Sequence, residues 1–479
     1  MKEFDLPKLQ SILSKAKDDR EVIFCLLYEI LELNGFSNLS LKIIDKPNAK
    51  VDSKSFVRAC VYGTLTYCYS IDFLFKNICK KDMETLDKMT RTIIRMGIWQ
   101  IVFSSKVPSY AACDSCVSLA KSMNLPSAGF VNVNLRMIAD SDKNLLDINC
   151  YNANVQTSLK PEIFGILKSS YGKDDAISIG KKLLEEPKLS VRLNSRKDYE
   201  LTKTSLREDG VEIYDASFMP GSINVSLNQV VLDKTRAWIK GDAFVQNEAA
   251  QLVGYIVSKF LEQNNRNDGN DRNDNPRIID VCAAPGGKST HIAELLDDEC
   301  EILSLDINES RVKLIEENAE RLGLTSISAR AKDATSFTSN DEDNGSYDVV
   351  VCDVPCSGLG LMARKPDIRK TITYDRMCEL LPIQEDILQK ASMKTKKGGL
   401  LIYSTCTLNK KENEEQVAAF RERNKNFVQV DLGELLPSKL VARVADNPVG
   451  ANLAGGYITL MPHLDDVDGF FVCAMLREE

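Results

Sequence analysis

The stretch Arg277-Ile-Ile-Asp-Val-Cys-Ala-Ala-Pro-Gly-Gly-Lys288 decides how this chain is read. A short apolar run (Ile278, Ile279, Val281) stops at small residues, a proline and two adjacent glycines, and an amphipathic helical pattern (Ile292, Leu295, Leu296) follows. That order predicts a buried strand turning tightly into a helix. Gly286 and Gly287 have no Cβ, so the turn can take positive φ and let a ligand approach bare backbone amides. An acid is expected about 20 residues further on, to hold ribose hydroxyls. Asp306 supplies it, at the end of a second apolar run, Ile302-Leu303-Ser304-Leu305. A further acid, Asp333, follows a candidate strand over 326–329. The spaced glycines that seat a dinucleotide pyrophosphate are missing, so the pattern suits a nucleoside without phosphates better than a nicotinamide dinucleotide.

Downstream, strands are predicted at Ile278, Ile302, Ile327, 349–352, 400–403 and 470–476, alternating with helices over 310–322, 383–393 and 411–423, with Ser310 as N-cap of the first. Such alternation implies a mostly parallel, doubly wound sheet whose ligands sit at the carboxyl ends of the strands. Two more strand ends then reach the same rim, Val349-Val-Val-Cys-Asp-Val-Pro-Cys-Ser-Gly358 and Leu400-Leu-Ile-Tyr-Ser-Thr-Cys406, and each delivers a cysteine there. Upstream of the strand at Ile278, the Asn- and Asp-rich run 264–275 follows a helix over 248–261; its composition cannot bury a core and predicts a surface loop.

Further out, 3-4 spacings such as Leu86, Met89, Ile93, Met96 and Ala112, Cys116, Leu119, Met123 predict an all-helical bundle over 22–138. Cys113 and Cys116 have metal-ligand spacing, but no second pair exists and Cys116 lies on the apolar stripe, so core cysteine is the reading preferred. Between bundle and sheet, short alternating runs (189–193, 211–214, 223–227) mix with helical segments (163–171, 199–207), giving a small α+β module. Its Arg192 and Asn194 read either as phosphate contacts or as a solvated strand end. The domains expected are therefore 1–150, 151–240 and 241–479.

Composition bounds the function. At 479 residues, 43% apolar and 27% charged, the chain reads as a soluble multidomain protein, and its fourteen cysteines as reduced thiols in the cytoplasm. No run approaches a membrane span. A net charge of −8 argues against broad nucleic-acid binding, yet residues 361–425 carry 14 Lys and Arg against 9 Asp and Glu. That leaves room for a local basic face, and Arg364, Lys365, Arg369 and Lys370, beside the Pro-Cys loop, read either as a solvated face or as phosphate contacts.

The stretches Cys282-Ala-Ala-Pro-Gly-Gly-Lys288, Asp353-Val-Pro-Cys-Ser-Gly358, Arg364-Lys-Pro-Asp-Ile368, Tyr403-Ser-Thr-Cys-Thr407 and Asp468-Gly-Phe-Phe471 together resemble the motifs of the NOL1/NOP2/Sun family of RNA cytosine-5 methyltransferases. Within it the chain is most similar to the bacterial Sun/Fmu (RsmB) type. Ile93-Ile-Arg-Met-Gly-Ile-Trp-Gln-Ile101 and Asn132-Val-Asn-Leu-Arg136 resemble motifs of the NusB-like helical domain that precedes the catalytic domain in that type.

The resemblance implies a NusB-like RNA-binding domain, a ferredoxin-like α+β module and a Rossmann-like class I methyltransferase domain. It implies a monomer without metal that uses S-adenosylmethionine to methylate C5 of a cytosine in 16S ribosomal RNA, at position 967. It places the cofactor on Cys282, Ala283, Ala284, Pro285, Gly286, Gly287 and Lys288, with Asp306 on the ribose, Asp333 near the adenine, and Asp353 shared with the target base. It makes Cys406 the nucleophile, Cys356 the group assisting elimination and Asp353 the contact to the cytosine edge. A Pro-Cys nucleophile, as in DNA cytosine-5 methyltransferases, would exchange the two thiols. Transfer RNA as substrate, and a non-catalytic RNA-binding assembly or antitermination factor, are the alternatives.

Overall fold

A computed structural model describes residues 16–46, 49, 51–227, 230–268 and 275–478. Contacts divide the chain into two units, residues 1–186 with 361–374, and residues 187–360 with 375–479. Among the described residues no helix is long and apolar enough to cross a membrane.

The first unit is helical. Its main helices are Asp19–Glu32, Lys54–Thr66, Cys68–Cys79, Lys88–Val102, Ser109–Ser122 and Ala128–Ala139, followed by Pro161–Tyr171 and Lys173–Lys182. Their apolar stripes meet in one core that holds Ile23, Leu27, Ile93, Met96 and Leu135, and both Cys113 and Cys116 are buried in it. Gly97 explains the Met-Gly-Ile stretch: a Cβ there would stand 2.7 Å from the Leu135 side chain and 3.1 Å from Cys116 Sγ. The neighbouring Arg95 is buried and forks onto Asp72 with two bonds of 2.8 Å, also reaching Glu84 and Glu32.

Residues 361–374 leave the catalytic part of the sequence and join this helical unit. The candidate phosphate contacts Arg369 and Lys370 are spent there on carbonyls. Arg369, 4% exposed, donates to Thr157 O (3.0 Å), Ser158 O (3.2 Å) and Leu183 O (2.8 Å). Lys370 Nζ donates to Leu31 O. These are free carbonyls of helix ends, which a buried cation satisfies well. The basic face read from 361–425 is diminished further because Lys394 is buried between Asp341 and Asp343.

In the second unit, β1 (Leu189–Leu193), β2 (Glu212–Asp215), β3 (Ser222–Ser226) and β4 (Ala243–Val245) form an antiparallel sheet in the order β2-β3-β1-β4. With helices Tyr199–Glu208 and Arg236–Ile239 between them, the chain order is βαββαβ, the ferredoxin-like arrangement. The three-residue strand β4 carries too little pattern to be read from sequence.

The larger sheet contains β5 (Arg277–Asp280), β6 (Glu301–Asp306), β7 (Ile327–Ala331), β8 (Tyr347–Asp353), β9 (Thr395–Thr405), β10 (Phe427–Gln429), β11 (Ala451–Asn452), β12 (Tyr457–Leu460) and β13 (Phe470–Arg477). Its order is β11-β12-β13-β9-β8-β5-β6-β7, with β10 beside β13. Strands β5 to β9 are parallel, as expected, while β13 runs antiparallel to β9. Alternate residues face two apolar layers. Ile278, Val349, Val351, Leu400 and Ile402 pack with Leu252, Ile256 and Ile292, whereas Ile279, Val350, Leu401 and Tyr403 pack with Ile387, Leu388 and Phe420.

Several boundaries differ from the sequence reading. The helix expected over 310–322 is Glu309–Leu322, capped by Asn308, which accepts from Ser310 N, so Ser310 is not the N-cap. The helix expected from 383 starts at Tyr374 and tolerates Pro382 in its interior. The helix before β5 continues to Asp268, so residues 264–268 are helical rather than loop, and 269–274 lie outside the described residues.

Arg369→Ala should lower unfolding stability by about 2 kcal/mol, because carbonyls buried in the helical unit lose their donor. It should leave the salt dependence of RNA binding unchanged, where a phosphate contact would reduce the slope. Urea unfolding and binding titrations at several salt concentrations measure both.

Candidate active site

The carboxyl ends of the parallel strands carry every site residue expected from sequence. Asp333 follows β7, Asp306 ends β6, residues 282–288 follow β5, Asp353 ends β8, and Cys356 and Cys406 follow β8 and β9.

The loop after β5 is fixed by its backbone. Ala283 N donates to Leu305 O (2.7 Å), Ala284 O accepts from Arg311 (2.8 Å) and Pro285 O accepts from Asn318 (3.0 Å). The Ala284–Pro285 peptide is cis. Gly286 has φ of +96°, a conformation that favours glycine, and a Cβ there would crowd Ile315 at 3.2 Å. Gly287 opens the helix Gly287–Leu295 without positive φ, so only the first glycine serves the turn. Cys282 is half-buried beside this loop, and burial with the acids Asp280, Asp353 and Asp306 raises its thiol pKa.

Asp306 is 4% exposed; it accepts from Asn308 N at 3.0 Å and lies 3.3 Å from Arg311. The residue after it, Ile307, is 70% exposed, an apolar surface next to the ribose-type acid that the sequence reading passed over. Asp333 accepts from Thr335 N (2.8 Å) and Thr335 Oγ1 (2.7 Å) through Oδ1.

The parallel register of β8 and β9 pairs Cys352 with Tyr403 and Asp353 with Ser404, and Val354 N continues it onto Ser404 O at 3.1 Å. The following turns therefore leave side by side, and Cys356 Sγ and Cys406 Sγ are 3.2 Å apart, both half-buried. Asp353 sits at the same ends: Oδ2 is 2.5 Å from Lys288 Nζ, and Oδ1 accepts from Ser404 Oγ at 2.8 Å. Burial lowers the Lys288 pKa, but Asp353 outweighs it and the net shift is upward, with Asp280 and Cys406 contributing in the same direction. Cys356 has its thiol pushed well up, first by the hydrogen bond with Cys406, then by burial and the charges of Cys406, Glu412 and Asp353. Two sulfurs at this spacing do not readily both hold negative charge.

Three comparisons bear on what such a site belongs to. Residues 270–476 match the family model described as 16S rRNA methyltransferase RsmB/F, and residues 17–140 match that of the NusB family. A Bacillus subtilis protein described as probable ribosomal RNA small subunit methyltransferase B is 30% identical over 471 residues, covering 97% of this chain and 100% of the relative. The chain belongs to the RsmB/F family of 16S rRNA methyltransferases. A Synechocystis relative of the same description is 28% identical and covers 96% of this chain and 99% of its own. The RsmB/F-family fold also recurs in the crystal structure of PH0851 (TM-score 0.73, 22% identity, 98% of both chains). In NSun6 from Pyrococcus horikoshii the TM-score is 0.53 at 20% identity, over 67% of this chain and 98% of that one.

Some residues that build this RsmB/F-family site carried no readable signal. Arg192, expected at a phosphate or in solvent, is 2% exposed: it pairs with Glu294 (2.9 Å), donates to Gly287 O (2.9 Å) and lies 4.9 Å over the Phe244 ring. Asn194 is also buried, donating to Gly241 O at 2.9 Å. The α+β module thus holds the start of the glycine helix. His291 is buried against Gly254 and, depressed well below its usual range by burial and Arg192, is a neutral packing residue.

Asp280 ends β5 fully buried, accepting from Ser289 Oγ at 2.8 Å, and burial lifts its pKa to about 6. Because the folded state then binds this proton more tightly than the unfolded chain, stability is greatest below the ordinary carboxyl range and declines as pH rises through about 6. Asp280→Asn has no such loss. Its unfolding free energy relative to the parent should swing in its favour by about 2 kcal/mol between pH 4 and pH 8, and denaturant titrations at the two pH values would refute this by showing a constant difference.

Proposed function

We propose that this protein transfers a methyl group from S-adenosylmethionine to C5 of a cytosine in small-subunit ribosomal RNA. The observation that carries the reading is the pair of sulfurs 3.2 Å apart at the ends of β8 and β9, with the Lys288–Asp353 pair at the same rim. C5 of cytosine is a poor nucleophile until a thiolate adds to C6 and makes the ring enamine-like; the C5 proton must then leave and the thiolate be expelled. One nucleophilic and one proton-accepting sulfur meet those needs.

Bound S-adenosylmethionine would supply an electrophilic methyl on a sulfonium. The residues fit it: the left-handed turn at Gly286 admits close approach of a ligand, Asp306 at the end of β6 would hold the ribose hydroxyls, and Asp333 after β7 would serve the adenine. Cys406 acts as the nucleophile, as the family resemblance implies, adding to C6 as the thiolate after its proton passes to solvent. Once the Cys406 sulfur is bonded to carbon it carries no charge, so Cys356 can release its own thiol proton to solvent and then take the C5 proton, the C–H electrons forming the C5=C6 double bond and expelling the Cys406 thiolate. Asp353, oriented by Lys288 and Ser404, serves the N3 and amine edge of the base. The target cytosine must be unpaired or flipped out to reach this site. The helical region within 1–150 seats the RNA, the module within 151–240 braces the catalytic domain of 241–479, and the enzyme works as a cytoplasmic monomer.

Incubation with labelled cofactor and unmodified 16S RNA should label one cytosine, position 967 by the family resemblance, as bisulfite mapping reads. Label on an adenine, or none, would remove the reading, and label on transfer RNA alone would make this a tRNA enzyme. Cys356→Ala should accumulate a covalent protein–RNA adduct on denaturing gels and Cys406→Ala should form none; the opposite pattern exchanges the two roles.

A further inference from the structure

Glu412 is completely buried, and both of its carboxylate oxygens are used. Oε2 accepts from Ser357 N (2.8 Å) and Gln384 Nε2 (3.0 Å). Oε1 accepts from Ser357 Oγ (2.6 Å) and Asn409 Nδ2 (2.9 Å). Since the single hydroxyl proton of Ser357 goes to the carboxylate, the 2.7 Å contact between Ser357 Oγ and Thr407 Oγ1 makes Thr407 the donor.

The donors come from three separate places: the turn after β8, the turn after β9 and the helix Tyr374–Ser392. Ser357 is next to Cys356 and Thr407 is next to Cys406. Gln384 also donates to Pro355 O at 2.9 Å, on the other side of Cys356. The backbone of Glu412 is held in turn, its carbonyl accepting from Tyr403 OH at 2.7 Å. These four partners are neutral, and a buried anion is tolerated only where such donors are all in place. A carboxylate here therefore ties both cysteine turns to one point, and neither turn can shift without orphaning a charged oxygen.

We propose that Glu412 is the positioning residue of the thiol pair, setting the two cysteine turns at the separation that lets both sulfurs act on one base. This rests on the reading of Cys356 and Cys406 as the reacting thiols. Glu412 itself touches neither substrate nor cofactor; it acts through Ser357, Thr407 and Asn409. The amide of Glu412→Gln has the same size but turns an NH2 group toward donors, so it breaks the tie without opening a cavity.

The test uses the full-length chain and dibromobimane, a reagent that becomes fluorescent when it bridges two neighbouring thiols. Peptide mass spectrometry identifies the Cys356–Cys406 bridge, and Cys356→Ala and Cys406→Ala serve as blanks. In Glu412→Gln the bridging rate should fall about tenfold. With RNA substrate kcat should fall about 100-fold, the cost of misplacing reacting groups by about 1 Å, while the cofactor Kd by calorimetry stays within about twofold and KM for RNA changes little. Ser357→Ala, which keeps the carboxylate and removes one bond to it, should show the same pattern at smaller size, and it carries the test if Glu412→Gln does not fold. Unchanged bridging in folded variants overturns the proposal. So does a fall in bridging matched by loss of cofactor affinity and of thermal stability, which marks Glu412 as a general fold element. Bridging needs neither RNA nor methyl donor, so failure of the proposed reaction would leave this readout intact.

Discussion

The parallel pairing of β8 with β9 is the constraint from which the site follows. Val350 opposite Leu401, Cys352 opposite Tyr403 and Asp353 opposite Ser404 fix a register in which both strands end at one level. A slip of one residue would turn the inward-facing side chains of either strand to the other face of the sheet, exchanging two apolar layers that are both filled. Core packing therefore sets the register, and the register brings the two turns, each with its cysteine, to the same place on the rim. The 3.2 Å separation of the two sulfurs is thus a property of the packed sheet and its turns together.

Around that pair the protein buries several charged side chains that bond to other chain segments. Arg192 and Glu294, Lys288 and Asp353, Asp280 with Ser289, and Glu412 among four neutral donors each hold one chain segment against another. Such groups are costly to remove from water, and they are stable only with nearly all partners in place. That makes each a geometric lock. Arg192 brings the α+β module onto the glycine loop, Lys288 joins the β5 loop to β8, and Glu412 joins the turns after β8 and β9.

Much of this was legible along the chain. The run ending in Gly286 gave strand, turn and helix in order, because a buried strand needs continuous apolar residues and the turn needs a residue without Cβ. The two cysteine-bearing strand ends were readable for the same reason, and alternation of strands with helices supplied the parallel sheet. Several departures from the structure involve charge. Glu412 lies in a charged stretch, Lys410-Lys-Glu-Asn-Glu-Glu415, for which the sequence offers only a helix over 411–423, yet its side chain is fully buried. Arg369 and Lys370 looked like phosphate contacts, yet they cap helix ends. A charged residue has the same sequence appearance in water and in a lock, since its partners lie tens or hundreds of positions away. The helix start at Asn308 was missed because Asn and Ser both cap well and stand two residues apart.

By itself, then, the sequence determined the kinds of layer and the inventory of reactive groups: helices ahead of a mixed module ahead of a parallel sheet, with two thiols and three acids at strand ends. Those follow from periodicity and turn chemistry, which are local. Tertiary structure alone decided that the sulfurs lie 3.2 Å apart, that burial and its neighbours push the Cys356 thiol well up, and which cations are buried. Each of those depends on distances across strands and on removal from water, and neither quantity exists until the sheet has closed over its core.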